Sequence, residues 1–386
     1  MDREKIYAQA VEWRRHFHRF PEVSTEEYGT QAYIAGILEQ EGIAFRKYGT
    51  GIIAQLGKGK PCVALRADMD ALRVKEETGL PFASEEEGKM HACGHDMHLA
   101  MLLGAVMRLK AEEGNWRGTV KVVFQPSEEK RPGGARLLLP HLLEEPVPRA
   151  IFGQHVYPGL PVGKIGIRAG AFFASSDNIN FAVEGKGTHA AMPHLGSDPI
   201  LAAVALIQYY QTIITKSRDP FEPAVLSITS IHGGTANNVI PDRVEVKGTV
   251  RTHNNALRHH IFDLINGQSP AICGLYGCRF VPDMPWNGLP PLVNDSGLVQ
   301  LVREAAAGIA EVVEMPPLTL GEDFAIYLEH LPGAFWTLGV CPPEQEEMPP
   351  LHNPAMAPDE RAIPIGVDLL FAACTKFLKE QLTMND

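Results

Sequence analysis

Helical and strand-like patterns of apolar positions alternate through the first 170 residues. Two helices are predicted at the start, over 3–20 and 25–41, with Ser24 or Thr25 as the N-cap of the second. Strands that alternate with helices are typical of an α/β sheet. The further segments are strands over 43–56, 61–67, 118–124 and 150–156, and helices over 96–110 and 134–145.

The pattern changes after about residue 175, where a small α+β module is predicted. Its strands are predicted over 179–183, 224–231 and 243–252, and its helices over 199–215 and 254–265. Residues 286–291, Trp-Asn-Gly-Leu-Pro-Pro, have the composition of a linker. Helix and strand patterns then resume over 296–307, 322–330, 334–338 and 361–382. We therefore expect an α/β domain with a mixed sheet flanked by helices, residues 1–175 and 291–386, interrupted by a smaller α+β domain at 176–290.

The composition excludes several classes of protein. The chain has 386 residues, 45% of them hydrophobic, and a formal net charge of -11. An acidic chain without a basic block is a poor partner for nucleic acid, because phosphate contacts need clustered Lys and Arg. No signal peptide and no apolar run long enough to span a membrane is evident, so we expect a cytoplasmic protein with reduced cysteines.

Residues 90–98, Met-His-Ala-Cys-Gly-His-Asp-Met-His, concentrate side chains that bind metals. Cys93 and His95 flank a glycine, a spacing that lets both side chains converge on one ion. A thiolate with an imidazole suits Zn²⁺ or another late transition metal, and suits Mg²⁺ or Ca²⁺ poorly. Asp96 is expected to fix the start of the following helix.

Further polar residues follow predicted strands. Glu128 and Glu129 come after the strand over 118–124, His155 ends the next strand, and His352 lies in a loop. Adjacent glutamates can divide the work of metal-assisted hydrolysis, one as a ligand and the other as a general base. The alternatives are a solvated carboxylate pair and a histidine held in the core.

Seven blocks along the sequence combine glycines with polar residues in a fixed order. The blocks are Arg66–Leu72, His91–Asp96, Gln125–Glu129, Gly153–Val156, Gly185–Ala191, Gly233–Pro241 and Gly321–Phe324. Together they resemble the amidohydrolase branch of the aminoacylase/carboxypeptidase metallopeptidase family, and the resemblance runs from about residue 12 to the C-terminus. That branch includes hippurate hydrolases, N-acetyl-diaminopimelate deacetylases and indole-acetyl-amino-acid hydrolases.

The resemblance implies a site for two divalent transition-metal ions, with Zn²⁺, Mn²⁺, Ni²⁺ and Co²⁺ all open. Glu128 falls on the general-base position of the family. Asp68 falls on the aspartate that orients a ligand, with Asp70 as the alternative because the Asp-x-Asp motif aligns ambiguously. The implied metal ligands are Cys93, His95, Glu129, His155 and His352.

The inserted domain then corresponds to a lid or dimerisation domain, and a homodimer is expected. His189 falls on a histidine that stabilises the oxyanion, in some members from the partner subunit. Asn237 and Arg251 are candidates for binding the substrate carboxylate, and a strand-end salt bridge is the alternative for Arg251. Lys130 and Arg131 are an insertion relative to the family pattern, either near the substrate or solvated.

The implied reaction is hydrolysis of the amide bond of an N-acyl amino acid, with Glu128 activating the attacking water. A dipeptidase or carboxypeptidase of the wider family is the first alternative, although Arg66 and Cys93 speak against it. A catalytically silent amino-acid-binding protein is the second. A structural zinc protein is the third, and the chain has no paired Cys-x-x-Cys to support it.

Overall fold

The computed structural model describes residues 2–283 and 288–383, and the chain divides into two units. The first consists of Met1–Gly170, Val293–Pro316 and Asp323–Asp386, and the second of Ala171–Leu292 and Pro317–Glu322. The sequence places the divisions at 175/176 and 290/291, a few residues away, and does not anticipate the short return at 317–322. Trp286 and Asn287 of the expected linker lie outside the described residues.

The predicted helices and strands occur in the predicted order. The structure adds strands that the sequence does not predict, over 164–167, 170–173, 188–189, 239–240, 279–282, 292–294 and 311–314. The α-helices are α1 (Arg3–Arg19), α2 (Tyr28–Gln40), α3 (His95–Ala111), α4 (Gly134–Leu142), α5 (Pro199–Lys216), α6 (Asn255–Leu275), α7 (Ser296–Ala305), α8 (Phe324–Leu328) and α9 (Ile363–Thr383). The strands are β1 (Ala44–Tyr48), β2 (Gly51–Lys58), β3 (Cys62–Asp68), β4 (Gly118–Gln125), β5 (Ile151–Pro161), β6 (Lys164–Ile167), β7 (Gly170–Phe173), β8 (Asp177–Glu184), β9 (Thr188–His189), β10 (Ala224–His232), β11 (Val239–Ile240), β12 (Arg243–Thr252), β13 (Arg279–Pro282), β14 (Leu292–Asn294), β15 (Glu311–Glu314) and β16 (Gly333–Cys341).

An eight-stranded sheet forms the core of the first unit, in the order β1-β2-β4-β3-β5-β16-β6-β15. The strand pairs β3–β4, β3–β5 and β5–β16 are parallel, whereas β1–β2, β2–β4 and β16–β6 are antiparallel. The predicted mixed sheet is therefore confirmed. Asp68 pairs with Gln125 where β3 and β4 end, so the loops that follow both strands start from the same edge of the sheet.

Helix α3 is buried on every side from His95 to Leu109. The apolar positions of this helix form one stripe in the sequence, and the structure buries that stripe together with the positions around it. The helix packs against α1, α9 and β3, so no face of its first four turns is left to solvent. A helix covered by neighbours all round shows weak amphipathicity, because polar positions have no solvent to face.

Three local expectations from the sequence, on a strand, a helix cap and a helix end, are wrong. Residues 43–56 form a hairpin of β1 and β2 rather than one strand. Neither Ser24 nor Thr25 caps α2, whose N-cap is Glu27. The Ser24 hydroxyl instead donates to Asp70 Oδ2 at 2.5 Å. Helix α6 continues past the predicted end at residue 265 to Leu275.

The second unit has a four-stranded antiparallel sheet in the order β10-β12-β8-β13. Helices α5 and α6 pack on it, and apolar side chains from the sheet and both helices form one core. The short strands β9 and β11 form a separate ladder that pairs His189 with Val239. In neither described stretch, 2–283 or 288–383, is a helix both long and apolar enough to cross a bilayer.

Candidate metal centre

The end of one strand, the middle of a second strand, the start of one helix and a loop bring the predicted metal ligands of the first unit together. His95 begins α3, Glu129 follows β4, and His155 lies in β5. Cys93 precedes α3 in a short turn closed by the Gly94 N–H, which donates to the His91 carbonyl at 3.2 Å. The His352 loop is fixed alongside by its own N–H, which donates to the Ala92 carbonyl at 2.8 Å.

Three residues in or beside this cluster have positive φ. Gly94, between Cys93 and His95, has φ 82°, and a Cβ there would lie 2.4 Å from Val156 Cγ2. Only glycine therefore fits the turn that separates the two side chains. Ser127 has φ 55° and His352 φ 68°, which is uncommon for residues with a Cβ and is often found at functional sites.

His95 and His155 are held in the same way, each with one ring nitrogen on a backbone carbonyl. His95 Nδ1 lies 2.8 Å from the Asp70 carbonyl, and His155 Nδ1 lies 2.7 Å from the Val156 carbonyl. A carbonyl only accepts, so Nδ1 carries the proton in both rings and Nε2 is the atom available to a metal. His155 Nε2 lies 3.5 Å from Cys93 Sγ, and His95 Nε2 lies 4.0 Å from Glu129 Oε1.

Glu129 joins these residues to His352. His352 Nε2 lies 3.2 Å from Glu129 Oε1, with 53% of the His352 side chain exposed and 13% of that of Glu129. The possible ligand atoms of Cys93, Glu129 and His352 all lie within 4.8 Å of one another. Those of His95, Glu128 and Glu129 also lie within 4.8 Å of one another. The two groups share Glu129, whose carboxylate has two oxygens and could serve two ions.

A buried atom without a hydrogen-bond partner supports the fit of a cation. His95 Nε2 makes no hydrogen bond within residues 2–283 and 288–383, and Asp68 Oδ2 and Glu129 Oε1 lie 3.6 and 4.0 Å from it. Buried polar atoms without partners are costly, and an imidazole nitrogen is a metal ligand by type. Together with the Glu129 carboxylate, the Cys93 sulfur and the other imidazoles, it forms the mixed N, O and S donor set that transition metals prefer.

Burial and neighbouring charges both shift the pKa values of the clustered side chains. Burial raises the pKa of the Cys93 thiol well above its usual value, and the nearby Glu129 carboxylate raises it further. Burial opposes the charged form of His95, but Asp68 and Cys93 outweigh it and raise its pKa. Burial lowers the pKa of His155 to about 4. A metal would therefore compete with protons for Cys93 and His95 and would release them on binding.

Asp68 and Asp70 support the site in different ways. Asp68 Oδ1 lies 2.5 Å from His98 Nδ1, and its Oδ2 lies 3.6 Å from His95 Nε2. Burial alone would raise the pKa of Asp68, but His95, His98 and Arg66 hold it well below its usual range. Asp70 uses its two carboxylate oxygens to accept the backbone N–H groups of the glutamate pair, at 2.9 and 3.0 Å.

His98 belongs to the cluster, although the sequence indicates no more than a helix residue at this position. Its Nε2 accepts the Val156 N–H at 2.9 Å, so its Nδ1 carries the proton that is donated to Asp68. Both ring nitrogens are thus occupied, and His98 is a support rather than a ligand. The spacing His95-x-x-His98 was an available signal, because residues three apart share a helix face.

Glu128, the predicted base, lies beside the ligands. Its Oε1 accepts the Asp323 N–H at 3.3 Å.

Asp96 does not cap α3, because its Oδ2 instead accepts from Arg14 Nε at 2.9 Å and lies 2.8 Å from His18 Nδ1. The expectation that Asp96 fixes the helix start is therefore wrong for its side chain.

The other predicted site residues belong to the second unit. His189 is exposed, and its Nδ1 accepts the Ala191 N–H at 3.1 Å. Asn237 is exposed in the loop before β11, which pairs with the strand of His189. Arg251 Nη1 donates to Thr249 Oγ1 at 2.7 Å and to the Val250 carbonyl at 3.1 Å.

The fold and the cluster together are those of a metallohydrolase, and comparison with known proteins identifies the family. The model of "Peptidase family M20/M25/M40" matches residues 64–376, and the chain belongs to this family. The cluster of Cys93, His95, Glu129, His155 and His352 therefore lies in a chain of a metallohydrolase family.

Individual relatives extend over nearly the whole chain. N-acetyl-L-cysteine deacetylase of Bacillus subtilis is 39% identical over 376 residues, covering 96% of this chain and 88% of the relative. Thermostable carboxypeptidase 1 of Saccharolobus solfataricus is 34% identical over 375 residues, covering 95% and 94%. The solved structure of the Bacillus subtilis YXEP protein, described as a dinuclear metal binding peptidase from the M20 family, is 35% identical with a TM-score of 0.83 and covers 98% of this chain and 99% of that one.

Proposed function

We propose that the protein hydrolyses the amide bond of small N-acyl amino acids at a two-metal centre. The observation that carries the proposal is the pair Glu128–Glu129. The Glu129 carboxylate faces the unpartnered His95 Nε2, while Glu128 is held separately by the Asp323 N–H. The similarity to a deacetylase of N-acetyl-L-cysteine supports an N-acyl amino acid as the substrate class.

The residues that would hold the two divalent ions are the five predicted from the sequence. Bound ions would polarise the scissile carbonyl and lower the pKa of water. The donor set supports Zn²⁺, Mn²⁺, Ni²⁺ or Co²⁺ as the metal. The five residues are Cys93, His95, Glu129, His155 and His352.

Glu128 would do the proton transfers of the reaction. Its carboxylate takes the proton of the attacking water, and the same carboxyl group then donates that proton to the leaving amine. Asp70 supports this role because it accepts the backbone N–H groups of Glu128 and Glu129 and so fixes the turn that carries both side chains. Asp68 would act on the ligands through His98 and its proximity to His95.

The second unit would contribute substrate binding and assembly. His189 would stabilise the developing oxyanion, and Asn237 and Arg251 would bind the substrate carboxylate.

The edge strand β10 exposes Val225 and Ile231, and unpaired edge strands with apolar side chains favour pairing with another chain. We propose a homodimer through this unit, as lid or dimerisation domain, in a cytoplasmic protein whose cysteines stay reduced.

A panel of substrates tests the proposal directly. Chelated full-length protein is reloaded with Zn²⁺, Mn²⁺, Ni²⁺ or Co²⁺ and assayed with N-acetyl-cysteine, N-acetyl-diaminopimelate, hippurate, N-acetyl-methionine and unblocked dipeptides. Metal-dependent release of free amino acid from N-acyl substrates is expected, with little turnover of dipeptides. Absence of turnover with every N-acyl substrate and every metal would refute the proposal.

A carboxypeptidase activity is the second candidate, and the relative named as a carboxypeptidase favours it. The same panel separates the two activities, because a carboxypeptidase cleaves peptides with a free C-terminal residue. Blocked dipeptides such as N-benzoyl-glycyl-amino acids should therefore be included. Preferential cleavage of their C-terminal amide would assign the protein to the carboxypeptidases.

A further inference from the structure

Arg66 is a buried arginine beside the metal centre that the proposed reaction does not use. It lies in β3 two residues before Asp68 and is 1% exposed. Its guanidinium donates from three nitrogens to three different side chains. These are Nε to Gln125 Oε1 at 2.9 Å, Nη1 to Asp68 Oδ2 at 2.9 Å and Nη2 to Asp323 Oδ1 at 2.7 Å.

Asp323 is the second centre of this network. It is fully buried, and Gln125 Nε2 donates to both of its carboxylate oxygens, at 2.7 and 2.8 Å. The Ala135 N–H donates to its Oδ2 at 3.1 Å. A Cβ at Gly133 would lie 2.7 Å from Asp323 Oδ2, so the glycine lets this chain segment approach the carboxylate.

The network reaches the metal centre at two points. Through Arg66 it fixes Asp68, which contacts His98 and lies 3.6 Å from His95 Nε2. Through the backbone of Asp323 it reaches Glu128, whose Oε1 accepts the Asp323 N–H at 3.3 Å. The ring of Phe324, the next residue, lies 5.9 Å below the Arg66 guanidinium.

Charge explains why three buried ionic groups are tolerated. One guanidinium lies between two carboxylates, and each carboxylate accepts further hydrogen bonds, so none of the three is left uncompensated. Oδ2 of Asp68 is held by Arg66 and Oδ1 by His98, so both carboxylate oxygens already have hydrogen-bond partners. A shorter cation could not reach both carboxylates, because lysine is a point charge without the planar fork of arginine.

We propose that Arg66 and Asp323 are positioning residues that fix Asp68 beside His95 and thereby set the affinity and geometry of the metal centre. The inference rests on the proposed metal centre, but not on the identity of the substrate. Loss of groups that orient metal ligands typically lowers metal affinity or activity 10–100-fold.

The test is a titration of the chelated full-length protein with Co²⁺, followed by its visible absorption. Asp323→Asn keeps the shape of the side chain and the backbone N–H to Glu128 but removes the negative charge. Arg66→Lys keeps the positive charge but cannot donate to Asp68 and Asp323 at the same time. Both variants should bind Co²⁺ about 10–100-fold more weakly, with an altered absorption spectrum. In turnover assays both should lower kcat more than they change KM.

Asp368→Asn is the matched control. Asp368 accepts from Arg108 Nη1 at 2.7 Å in the same unit, and Arg108 lies about 20 Å along α3 from His95, at 1.5 Å per residue. This variant should lose stability without a change in Co²⁺ affinity or spectrum. If Asp323→Asn does not fold, Arg66→Lys carries the test.

Wild-type affinity and spectrum in the folded variants would overturn the inference, as would an effect equal to that of Asp368→Asn. A wild-type chain that binds no Co²⁺ would contradict both the inference and the metal centre. Wild-type protein that binds metal but cleaves no N-acyl amino acid would refute the proposed function alone, because the titration needs no substrate.

Discussion

Glu128 and Glu129 are neighbours in the chain, yet their carboxylates meet different partners. Glu129 lies among His95, His352 and Cys93, whereas Glu128 accepts a backbone N–H from Asp323. Asp70 makes this division possible, because its carboxylate anchors both backbone N–H groups and leaves the two side chains free to diverge.

Replacing each glutamate by glutamine should therefore give two different defects. Glu128→Gln should keep both metals and lose about 10²–10⁴-fold in kcat, because it removes the general base. Glu129→Gln should bind less metal, because it removes a charged ligand. Elemental analysis of the dialysed proteins and steady-state assays measure the two effects, and near-wild-type kcat in Glu128→Gln would remove Glu128 from the base role.

Cys93→Ser tests the sulfur ligand. Serine keeps the size of the side chain but offers a hydroxyl in place of a soft thiolate, so metal stoichiometry should fall below that of the wild type. Cys374→Ser is a suitable control, because Cys374 is fully buried in α9 and is not one of the clustered residues. Equal stoichiometry in both variants would mean that Cys93 is not a ligand.

At the scale of elements, the turn from Cys93 into α3 depends on Gly94. Gly94→Ala places a Cβ 2.4 Å from Val156 Cγ2 at a positive φ, whereas Gly88→Ala meets a similar φ of 71° in open space. We expect Gly88→Ala to cost roughly 1–2 kcal/mol from backbone strain, and Gly94→Ala to cost a further 1–3 kcal/mol from the clash.

Urea unfolding of the metal-free proteins measures both costs. Adding Val156→Ala to Gly94→Ala should recover part of the second cost, since it removes the clashing methyl group. Equal destabilisation by the two glycine variants would show that the clash is relieved by local movement, and would remove close packing as the reason for the glycine.

Element positions were largely predictable from sequence, but their surroundings were not. The strand over 61–67 is predictable because it is apolar and ends in charged residues, and β3 occupies Cys62–Asp68. The all-round burial of α3 is not predictable from its own sequence, because α9, which covers one of its faces, comes more than 250 residues later. Serine is common at helix N-caps, so the sequence predicts Ser24 as the cap of α2. In the structure its hydroxyl instead donates to the carboxylate of Asp70, which is distant in sequence.

The site shows the same limit. The residue types and their spacing indicate Cys93 and His95 as metal ligands. The resemblance to a metallopeptidase family adds Glu129, His155 and His352, which are distant in sequence. His98 and the contact of Arg66 with Asp323 depend on which side chains meet in space, 257 residues apart in the second case. A single sequence does not contain that information.

At the scale of the whole molecule, three buried histidines should make the metal-free protein sensitive to acid. Burial lowers the pKa of His91 to about 3, and those of His98 and His155 to about 4. In the unfolded chain each pKa lies near 6.5, so between about pH 4 and 6.5 the unfolded state binds more protons. Stability should rise with pH across this window, by about 1.4 kcal/mol per pH unit for each histidine.

Urea unfolding at several pH values measures this slope. His91→Leu should reduce it by about one histidine's share, because it removes one of the three titrating groups. It breaks no hydrogen bond among the residues described, because neither ring nitrogen of His91 has a partner there. The pKa of His18 is raised, the opposite direction to the other three, because Asp96 and Glu76 outweigh burial, so His18→Gln should not reduce the slope. A slope that His91→Leu does not alter would contradict the assignment.

Strand β16 pairs in parallel with β5 in the middle of the large sheet, joining Gly333 to Ile151. During synthesis, β5 therefore leaves the ribosome about 180 residues before its partner β16. Until β16 is made, the edge of β5 that β16 later covers has no strand paired with it. Residues 171–292, which form a unit of their own, are made in the meantime. Chains truncated before residue 333 should expose the unpaired edge of β5 and aggregate, so we expect folding without aggregation to require the segment that contains β16.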